Sequence, residues 1–303
     1  MDQKALLRKV VKGDRQALAR AITVVEGEGK DSRQLLSAMK HTDRAFVLGL
    51  TGPSGTGKST LVDRLIEVYR KQGLRVGVVA VDPTSPITGG ALLGDRVRMM
   101  RHSTDPNVFI RSMASRGWSG GLSRTTAQVV QLMDAAGFDL ILLETVGIGQ
   151  SDIEVVGIAH AVIVVLMPGL GDDIQVSKAG LMEIGDIYAV NKGDLEGADP
   201  MVVSILSMVR DIKSRAPPVL KVSALKGEGL EDLVRSIDAI RARFNGGDTE
   251  MKLKSVKGMM LELAKGNLLE SFTRRSEGEA ERLASQVLAG KLSLSQAAAR
   301  LER

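Results

Sequence analysis

Eight consecutive residues of the sequence have the composition of a phosphate-binding loop. The segment GPSGTGKS, at positions 52–59, matches the pattern G-x-x-x-x-G-K-S/T and lies between an apolar run and an amphipathic segment. Its glycines let backbone N–H groups curl around a phosphate, and the N-terminus of the following helix adds a positive dipole end. We expect Lys58 to reach the β- and γ-phosphates of a nucleotide and the hydroxyl of Ser59 to bind Mg²⁺. The predicted nucleotide-binding residues of this segment are Gly52, Pro53, Ser54, Gly55, Thr56, Gly57, Lys58, Ser59 and Thr60.

Two later segments predict the base of that nucleotide. The segment NKGD, at positions 191–194, fits the pattern N-K-x-D. The carboxylate of Asp194 can accept hydrogen bonds from both N1–H and the 2-amino group of guanine, whereas adenine would leave a buried carboxylate unpaired. We expect Lys192 to cover the base and Asn191 to connect it to the phosphate-binding loop. A further triad, whose backbone we expect to support the guanine oxygen, consists of Ser223, Ala224 and Leu225.

Acidic residues that follow other apolar runs are candidates for the metal site. Glu144 begins the segment ETVG, where many GTPases have D-x-x-G; its carboxylate can hold Mg²⁺ through water, and the N–H of Gly147 can contact the γ-phosphate. Asp82 and Asp95 can approach the metal or the attacking water. For Asp82 the alternative is a helix cap or turn, and for Asp95 a surface salt bridge. The predicted catalytic residues are Lys58, Asp82, Glu144 and Gly147, and the predicted metal ligands are Ser59, Asp82, Asp95 and Glu144.

Other loop residues predict a slow, partner-dependent switch. Ile148 occupies the position where a glutamine often orients the attacking water, and Gln150 lies two residues further on. We therefore expect slow intrinsic hydrolysis, raised when a partner reorders the loop. The segment MPGLGDDIQ, with Asp172 and the following Lys178, indicates a third nucleotide-sensitive loop; the alternative is a solvated loop that opens a helix.

Seven short apolar runs must position these residues. They are AFVLGL, RVGVVAVD, NVFIRS, FDLILLETV, AVIVVLMP, IYAVNK and VLKVSA. Near-continuous apolar runs are typical of strands that are buried on both faces of a mostly parallel sheet. Predicted helices between them are Lys58–Lys71, Leu122–Ala136, Met201–Arg215 and Gly229–Phe244. The pattern predicts an α/β doubly wound, mostly parallel sheet, in which ligands bind at the carboxyl ends of the strands.

Helical segments flank this predicted domain on both sides. Residues 1–44 form an N-terminal helical extension without visible site chemistry, and residues 45–245 form the P-loop GTPase domain. After the linker NGGDTE, residues 246–303 form a C-terminal helical segment, with a helix stop at Gly290 and a cap at Ser293 or Ser295. Since these helices bury little by themselves, we expect them to pack on the main domain or on a second copy of the chain.

Composition excludes several classes of protein. The 303 residues are 44% hydrophobic and 25% charged, which is typical of a globular chain. The net charge of +5 is interspersed and aromatics are only 3%, which argues against a nucleic-acid partner. Cysteine is absent, so thiolate metal sites are excluded, and the three histidines are far apart. The longest apolar stretch, Ala161–Met167, is too short to span a bilayer, and with the charged N-terminus it predicts a cytoplasmic protein without a membrane partner.

Beyond the general motifs, longer segments resemble the MeaB/ArgK family of P-loop GTPases, the methylmalonyl-CoA mutase-associated proteins. These segments are AVDPTSP, GGALLGDRVRM, FIRSMASRG, AAGFDLILLETVGIGQSD, MPGLGDDIQVSKAG and NKGD. The resemblance implies a homodimeric GTPase that escorts an adenosylcobalamin-dependent acyl-CoA mutase, gates its cofactor loading and protects it from inactivation. It also implies that the four predicted metal ligands occupy the metal and switch positions, and that the loop of Lys178 senses the partner. Gly193 and Thr84 stand where alanine and serine are common in the family.

Alternative functions make different demands on the sequence. An ATP-dependent transport-associated kinase conflicts with the base chemistry of NKGD. A nickel-insertion GTPase requires Cys or His ligands, and the chain has no Cys and only scattered His. A signal-recognition-type targeting GTPase would bring an RNA- or membrane-binding domain. A nucleotide-binding module without turnover stays open because of Ile148.

Overall fold

A computed structural model describes residues 2–27, 29–82, 99–114, 125–147, 151–169, 180–212 and 216–301. The chain divides into two compact units, Met1–Met259 and Met260–Arg303. The predicted boundaries at residues 44 and 245 stay a prediction. Among the described residues, no helix combines the length and the apolar character that crossing a membrane requires.

The first unit is built around a sheet of seven parallel strands. All seven predicted runs form strands, which confirms the α/β doubly wound fold. In the sheet they lie in the order β3-β2-β4-β1-β5-β6-β7. The strands are β1 (Phe46–Thr51), β2 (Val76–Asp82), β3 (Val108–Ala114), β4 (Leu140–Glu144), β5 (Ala161–Leu166), β6 (Ile187–Val190) and β7 (Val219–Lys221).

Strand β1 lies at the point where the order of the sheet reverses. Its neighbours are β4 and β5, so the chain leaves β1 toward one edge of the sheet and returns past it toward the other. Every residue of β1 is buried, because helices cover both faces of the sheet. Gly49 allows one of these helices to come close: a Cβ built on it would lie 2.5 Å from Val155 Cγ2. The crevice at the carboxyl end of β1 is where this class of sheet binds ligands.

The helices between the strands follow the sequence pattern closely. The described helices are α1 (Gln3–Val11), α2 (Arg15–Glu26), α3 (Lys30–Ser37), α4 (Lys58–Lys71), α5 (Thr126–Ala135), α6 (Ser151–Ile158), α7 (Leu181–Ile184), α8 (Ala198–Ile212), α9 (Leu230–Asn245), α10 (Thr249–Leu288) and α11 (Leu294–Leu301), with a short 3₁₀ helix at Met100–His102. Helix α4 has the predicted bounds. Helix α8 begins three residues before the predicted Met201, because Pro200 is tolerated in the first turn of a helix.

The three N-terminal helices form a small bundle on the sheet domain. They pack against one another, and α2 packs against α5. Helix α2 begins at an aspartate cap: Asp14 Oδ1 accepts from the N–H groups of Gln16 and Ala17 at 2.9 and 3.0 Å. The apolar stripe of these helices, including Leu6, Leu18 and Ile22, is buried. The bundle is therefore part of the first unit.

The second unit contains the later part of α10 and all of α11. Its buried side chains include Leu283 and Ala297. The N–H of Gln296 donates to Ser293 Oγ at 3.2 Å, and the N–H of Ser293 donates to Gln296 Oε1 at 3.0 Å. This reciprocal pair is a capping box, so Ser293, of the two predicted candidates, is the N-cap of α11.

Candidate nucleotide-binding site

The phosphate-binding loop joins β1 to α4 at the carboxyl edge of the sheet. Gly52, Gly55 and Gly57 have φ angles of +131°, +81° and +91°, a region that L side chains rarely adopt. A Cβ on Gly52 would lie 2.1 Å from the carbonyl oxygen of Val165. Glycine is therefore required there both by the backbone conformation and by the close approach of β5.

Lys58 begins α4 and turns back over this loop. Its Nζ donates to the carbonyl oxygens of Gly52 and Pro53 at 2.8 and 3.1 Å, and the residue is only 6% exposed. Gly147 lies beside it: a Cβ on Gly147 would meet Lys58 Nζ at 2.5 Å and the Gly52 carbonyl oxygen at 2.4 Å. The structure thus brings the predicted phosphate ligand and the predicted γ-phosphate contact together.

Ser59 and two carboxylates form the acidic side of the site. Ser59 Oγ donates to Glu144 Oε1 at 2.7 Å, and both residues are buried. Strand β2 lies next to β4, with Ala80 paired to Glu144, so Asp82 ends its strand on the same edge and is 2% exposed. Among the described residues, no three His, Asp or Glu side chains cluster tightly enough to hold a metal by themselves. The oxygen donors nevertheless suit Mg²⁺, which typically takes one or two carboxylates together with phosphate oxygens.

Several predicted residues fall outside the described part of the chain. They are the metal candidate Asp95 and the loop residues Ile148, Gln150, Asp172 and Lys178.

Asn191 connects the phosphate-binding loop to the base-binding loops. Its Nδ2 donates to the carbonyl oxygen of Thr56 at 2.8 Å, and its Oδ1 accepts from the N–H of Ala224 at 3.0 Å. The residue is buried at the end of β6. A single side chain therefore fixes three segments that are more than thirty residues apart in sequence.

Asp194 is held as an ionised hydrogen-bond acceptor. Its Oδ1 accepts from Ser223 Oγ at 2.9 Å, and its Oδ2 lies 3.3 Å from Lys226 Nζ. The hydroxyl of Ser223, supported by the ammonium of Lys226, lowers the pKa of the Asp194 carboxyl below its usual value. Such a carboxylate can accept from donors on a ligand without first losing a proton.

These side chains surround a cavity of about 280 Å³ next to the phosphate-binding loop. It brings together both predicted base motifs and the start of α4. Its lining consists of Gly57, Thr60, Asn191, Lys192, Asp194, Leu195, Ser223, Ala224 and Leu225.

Gly193, which departs from the common alanine, has little space for a side chain. A Cβ there would lie 2.6 Å from Lys221 Cγ and 3.0 Å from the carbonyl oxygen of Val222. The N–H of Gly193 donates to that same carbonyl at 2.8 Å. The glycine thus lets the loop pack directly on the strand end before Ser223.

Arg64 is a residue of this site that the motifs did not reveal. From α4, its Nε donates to the carbonyl oxygen of Ala224 and its Nη2 to that of Leu225, both at 2.9 Å. Glu67 accepts from its Nη1 at 3.3 Å. In sequence it is one arginine among many on an amphipathic helix, and only its position one turn after Thr60 could have indicated the role.

Comparisons with known sequences and solved structures identify proteins that are similar to this chain. A family model described as methylmalonyl-CoA mutase-associated GTPase MeaB matches residues 18–277. A Pyrococcus abyssi protein whose name assigns it to the GTPases is 45% identical over 298 residues, which are 96% of this chain and 86% of that protein. The GTPase ArgK of Escherichia coli is 38% identical over 243 residues, 76% of this chain and 73% of ArgK. A crystal structure named LAO/AO transport system kinase is similar with a TM-score of 0.70 and 27% identity, over 99% of this chain and 96% of that chain.

Proposed function

Because the chain belongs to the MeaB family of methylmalonyl-CoA mutase-associated GTPases, we propose that it binds GTP with Mg²⁺ and hydrolyses it slowly. In this proposal its nucleotide state gates the loading of adenosylcobalamin onto an acyl-CoA mutase and protects that enzyme from inactivation. The partner is a mutase of the methylmalonyl-CoA type.

The base cavity is the observation that carries the proposal. Its carboxylate, Asp194, is oriented by Ser223 and can accept from the two donors on the guanine edge. Asn191 and Arg64 hold the backbone of residues 224 and 225. Since the N–H of Ala224 is taken by Asn191, the N–H of Leu225 is the one suited to the guanine oxygen. Adenine has neither these two donors nor a carbonyl oxygen at this edge, so Asp194 and the backbone donor would gain no partner from it.

The phosphate side supports nucleotide turnover. When GTP binds, we expect Lys58 to exchange its carbonyl partners in the loop for phosphate oxygens, since an ammonium attracts an anionic oxygen more strongly than a neutral carbonyl oxygen. Ser59 would hold Mg²⁺ directly, and Glu144 and Asp82 would hold it directly or through water. A bound Mg²⁺ would neutralise charge that develops on the phosphates. The backbone N–H of Gly147 is close enough to Lys58 to share the same phosphate.

A nucleotide titration with a variant of Asp194 tests the base assignment. The chain is expected to prefer GTP to ATP by about a hundredfold or more, because two hydrogen bonds to a charged acceptor are at stake. Asp194→Asn should lose this preference and gain affinity for xanthosine triphosphate, whose C2 oxygen can accept from the amide. Isothermal titration calorimetry measures all three affinities.

Asp199→Asn is the matched control for that titration. Like Asp194, Asp199 follows strand β6, but it lies in α8. It is exposed, and its ion-pair partner is Lys221. It should leave the preference unchanged. Equal affinity of the unaltered chain for GTP and ATP would remove the basis of the proposal.

Reconstitution with a mutase tests the partner. A purified adenosylcobalamin-dependent acyl-CoA mutase is mixed with the chain in the presence of GDP or a non-hydrolysable GTP analogue. We expect complex formation or cobalamin transfer to differ between the two nucleotides. The absorbance of the cofactor measures the transfer. Identical transfer with both nucleotides and without the chain would contradict the gating role.

A second candidate is an ATP-dependent kinase, which is favoured by the name of the similar solved structure. It requires adenine recognition and transfer of the γ-phosphate to a protein or small molecule. The same calorimetric comparison distinguishes the two functions, since a kinase of this kind should bind ATP more tightly than GTP.

The quaternary structure and the location complete the proposal. We propose a homodimer, which the exposed leucines of the second unit support, including Leu261 and Leu268 at 52% and 70% exposure. A cytoplasmic location stays a prediction from the sequence.

A further inference from the structure

A second large concave surface lies in the N-terminal part of the first unit. It is a groove of about 1090 Å³ between α1, the end of α3 with the segment that follows it, and the end of α5. We name it the basic groove. Its lining consists of Lys4, Leu7, Arg8, Val11, Lys12, Gln34, Ser37, Ala38, Met39, Lys40, Thr42, Arg44, Ala135 and Gly137.

The charged residues of the basic groove all have the same sign. The described lining has five cationic side chains and no carboxylate; the cations are Lys4, Arg8, Lys12, Lys40 and Arg44. Arg8 has one distant partner at the surface, Asp2, at 3.8 Å. Within the described part of the chain, no carboxylate oxygen lies within 4.0 Å of the other four. All five residues are exposed.

The cations of the basic groove lie on two walls. Lys4, Arg8 and Lys12 recur every four residues, so they form one stripe along α1 with about 6 Å between successive side chains. Lys40 and Arg44 provide cations on the segment after α3. The lining also has an apolar part, which consists of Leu7, Val11, Ala38, Met39 and Ala135, and three uncharged polar side chains, Gln34, Ser37 and Thr42. Among the apolar residues, Val11 is 61% exposed, so its side chain is open to a ligand in the groove.

The groove and the nucleotide site lie at opposite edges of the sheet. Arg44 and Gly137 come shortly before β1 and β4, at the amino ends of these strands. The phosphate-binding loop and Glu144 lie at the carboxyl ends of the same strands. Six residues of a parallel strand span roughly 20 Å, so a ligand in the groove does not touch the nucleotide.

We propose that the basic groove binds an acidic amphipathic helix of a partner protein. A helix that carries Glu or Asp every fourth residue would place its carboxylates at the spacing of the α1 stripe, and its apolar side would cover Val11 and Met39. The concave shape between two walls fits a convex helix rather than a flat lipid surface. Charge complementarity also gives an interaction that weakens with salt.

A peptide titration tests the binding. The probe is a fluorescein-labelled, helix-forming peptide with Glu at every fourth position beside a Leu stripe; its control has Gln in place of each Glu. Anisotropy is measured with the full chain. We expect the Glu peptide to bind at least tenfold more tightly than the Gln peptide, and its affinity to fall as salt is raised.

Charge reversal distinguishes the groove from general surface charge. Lys4→Glu with Arg8→Glu should weaken binding of the Glu peptide roughly tenfold or more. Lys9→Glu with Arg33→Glu is the matched control: both residues are exposed cations on α1 and α3 outside the lining, and the change in net charge is the same. GTP affinity and the thermal midpoint should be equal in both variants, because no altered residue lies in the nucleotide cavity.

A single thiol places the peptide. The chain has no cysteine, so Gln34→Cys gives one labelling site inside the groove and Arg33→Cys one outside it. An environment-sensitive dye at position 34, and not at 33, should respond to the Glu peptide. Equal weakening by both charge-reversed pairs, equal binding of the Gln peptide, or equally tight, groove-dependent binding of phosphatidylserine vesicles would overturn the proposal.

Discussion

At the scale of single residues, the backbone of Ala224 is held at both its N–H and its carbonyl oxygen. Asn191 accepts from its N–H, and Arg64 donates to its carbonyl oxygen. Arg64 itself is held by Glu67 on the same helix. The base-binding backbone is therefore oriented before any ligand arrives, and Arg64 acts as a positioning residue rather than a contact.

Replacing Arg64 should weaken the contacts of GTP with its base and leave the contacts with its phosphates unchanged. Arg64→Ala is expected to lower GTP affinity about tenfold, the order of one or two net hydrogen bonds. Arg64→Lys should recover only part of this, because a lysine cannot donate to both carbonyls in the planar geometry of a guanidinium. Binding of inorganic tripolyphosphate should not change, since the phosphate-binding loop is intact; calorimetry measures both ligands.

Lys71→Ala provides the comparison for Arg64. Lys71 also pairs with Glu67, at 3.1 Å, but it is exposed and makes no described contact with the base-binding backbone. It should leave GTP affinity unaltered. An equal loss of tripolyphosphate binding in Arg64→Ala would show that the arginine supports α4 in general.

Another residue, Asp43, is half-buried and forms a charge cluster with the buried His160 and the half-buried Lys252 at the amino end of the sheet. Its Oδ1 lies 3.4 Å from His160 Nε2 and its Oδ2 lies 3.4 Å from Lys252 Nζ. His160 Nδ1 accepts from the N–H of Val47 at 2.9 Å, so its proton is on Nε2, facing Asp43. The interaction with His160, together with Lys252, lowers the pKa of the Asp43 carboxyl, although burial opposes this shift.

The depressed pKa of Asp43 predicts a definite dependence of stability on pH. The stabilisation is present above the ordinary value of 3.8 and is lost as pH falls through the lower folded-state pKa. Asp43→Asn should therefore be less stable than the unaltered chain at neutral pH, and the difference should shrink below pH 3.8. Asparagine tolerates the φ of +50° at this position. Urea unfolding at a series of pH values measures the effect; a difference that is constant with pH would contradict it.

At the scale of elements, one side chain of α5 anchors the segment that leads into β1. Asp134 accepts from the hydroxyl of Thr42 and from the N–H groups of Asp43, Arg44 and Ala45 at 2.8, 2.9 and 2.7 Å. The carboxylate is 8% exposed. It satisfies backbone donors that have no strand partner, and it sets where β1 begins.

Removal of this anchor should destabilise the whole first unit. Asp134→Ala removes the acceptor of one buried and three part-buried donors, so we expect the free energy of unfolding to fall by about 3 kcal/mol. Asp139→Ala is the control, since its carboxylate accepts from one N–H, that of Arg75, at 2.7 Å in an exposed position. Urea denaturation followed by circular dichroism compares them. Similar losses in both variants would show that the four-donor arrangement adds nothing.

Elements that are determined by neighbouring residues in the sequence were predictable, whereas contacts between distant segments were not. Strands were predictable because burial on both faces requires continuous apolar runs, and the phosphate-binding loop because its glycines are needed at fixed spacing. Asp134 and Arg64 were not predictable, because their partners lie about 90 and 160 residues away and depend on how the elements pack. The basic groove was not predictable for the same reason: its two walls come together only in the folded unit.

At the scale of the whole molecule, the sheet separates two concave surfaces for which we propose different ligands. The nucleotide cavity lies at its carboxyl edge and the basic groove at its amino edge. Since no residue lines both, substitutions in one should not change direct contacts in the other, and their effects should add. Any coupling between GTP and a groove-bound helix would then have to come from a change in the packing of elements between them.

The second unit leads to the last prediction, on assembly. Leu261 and Leu268 lie seven residues apart, so they share one side of α10, and both are strongly exposed. Water contact of two leucines on one stripe is unfavourable by about 25 cal/mol per Å², and a second copy of the chain would cover them. We expect a dimer by size-exclusion chromatography with light scattering. Leu261→Glu with Leu268→Glu should give monomers that keep GTP affinity, whereas Asn267→Glu, away from the stripe, should stay dimeric. A monomeric unaltered chain, or a dimer that survives both glutamates, would show that another surface or another partner covers this side of the helix.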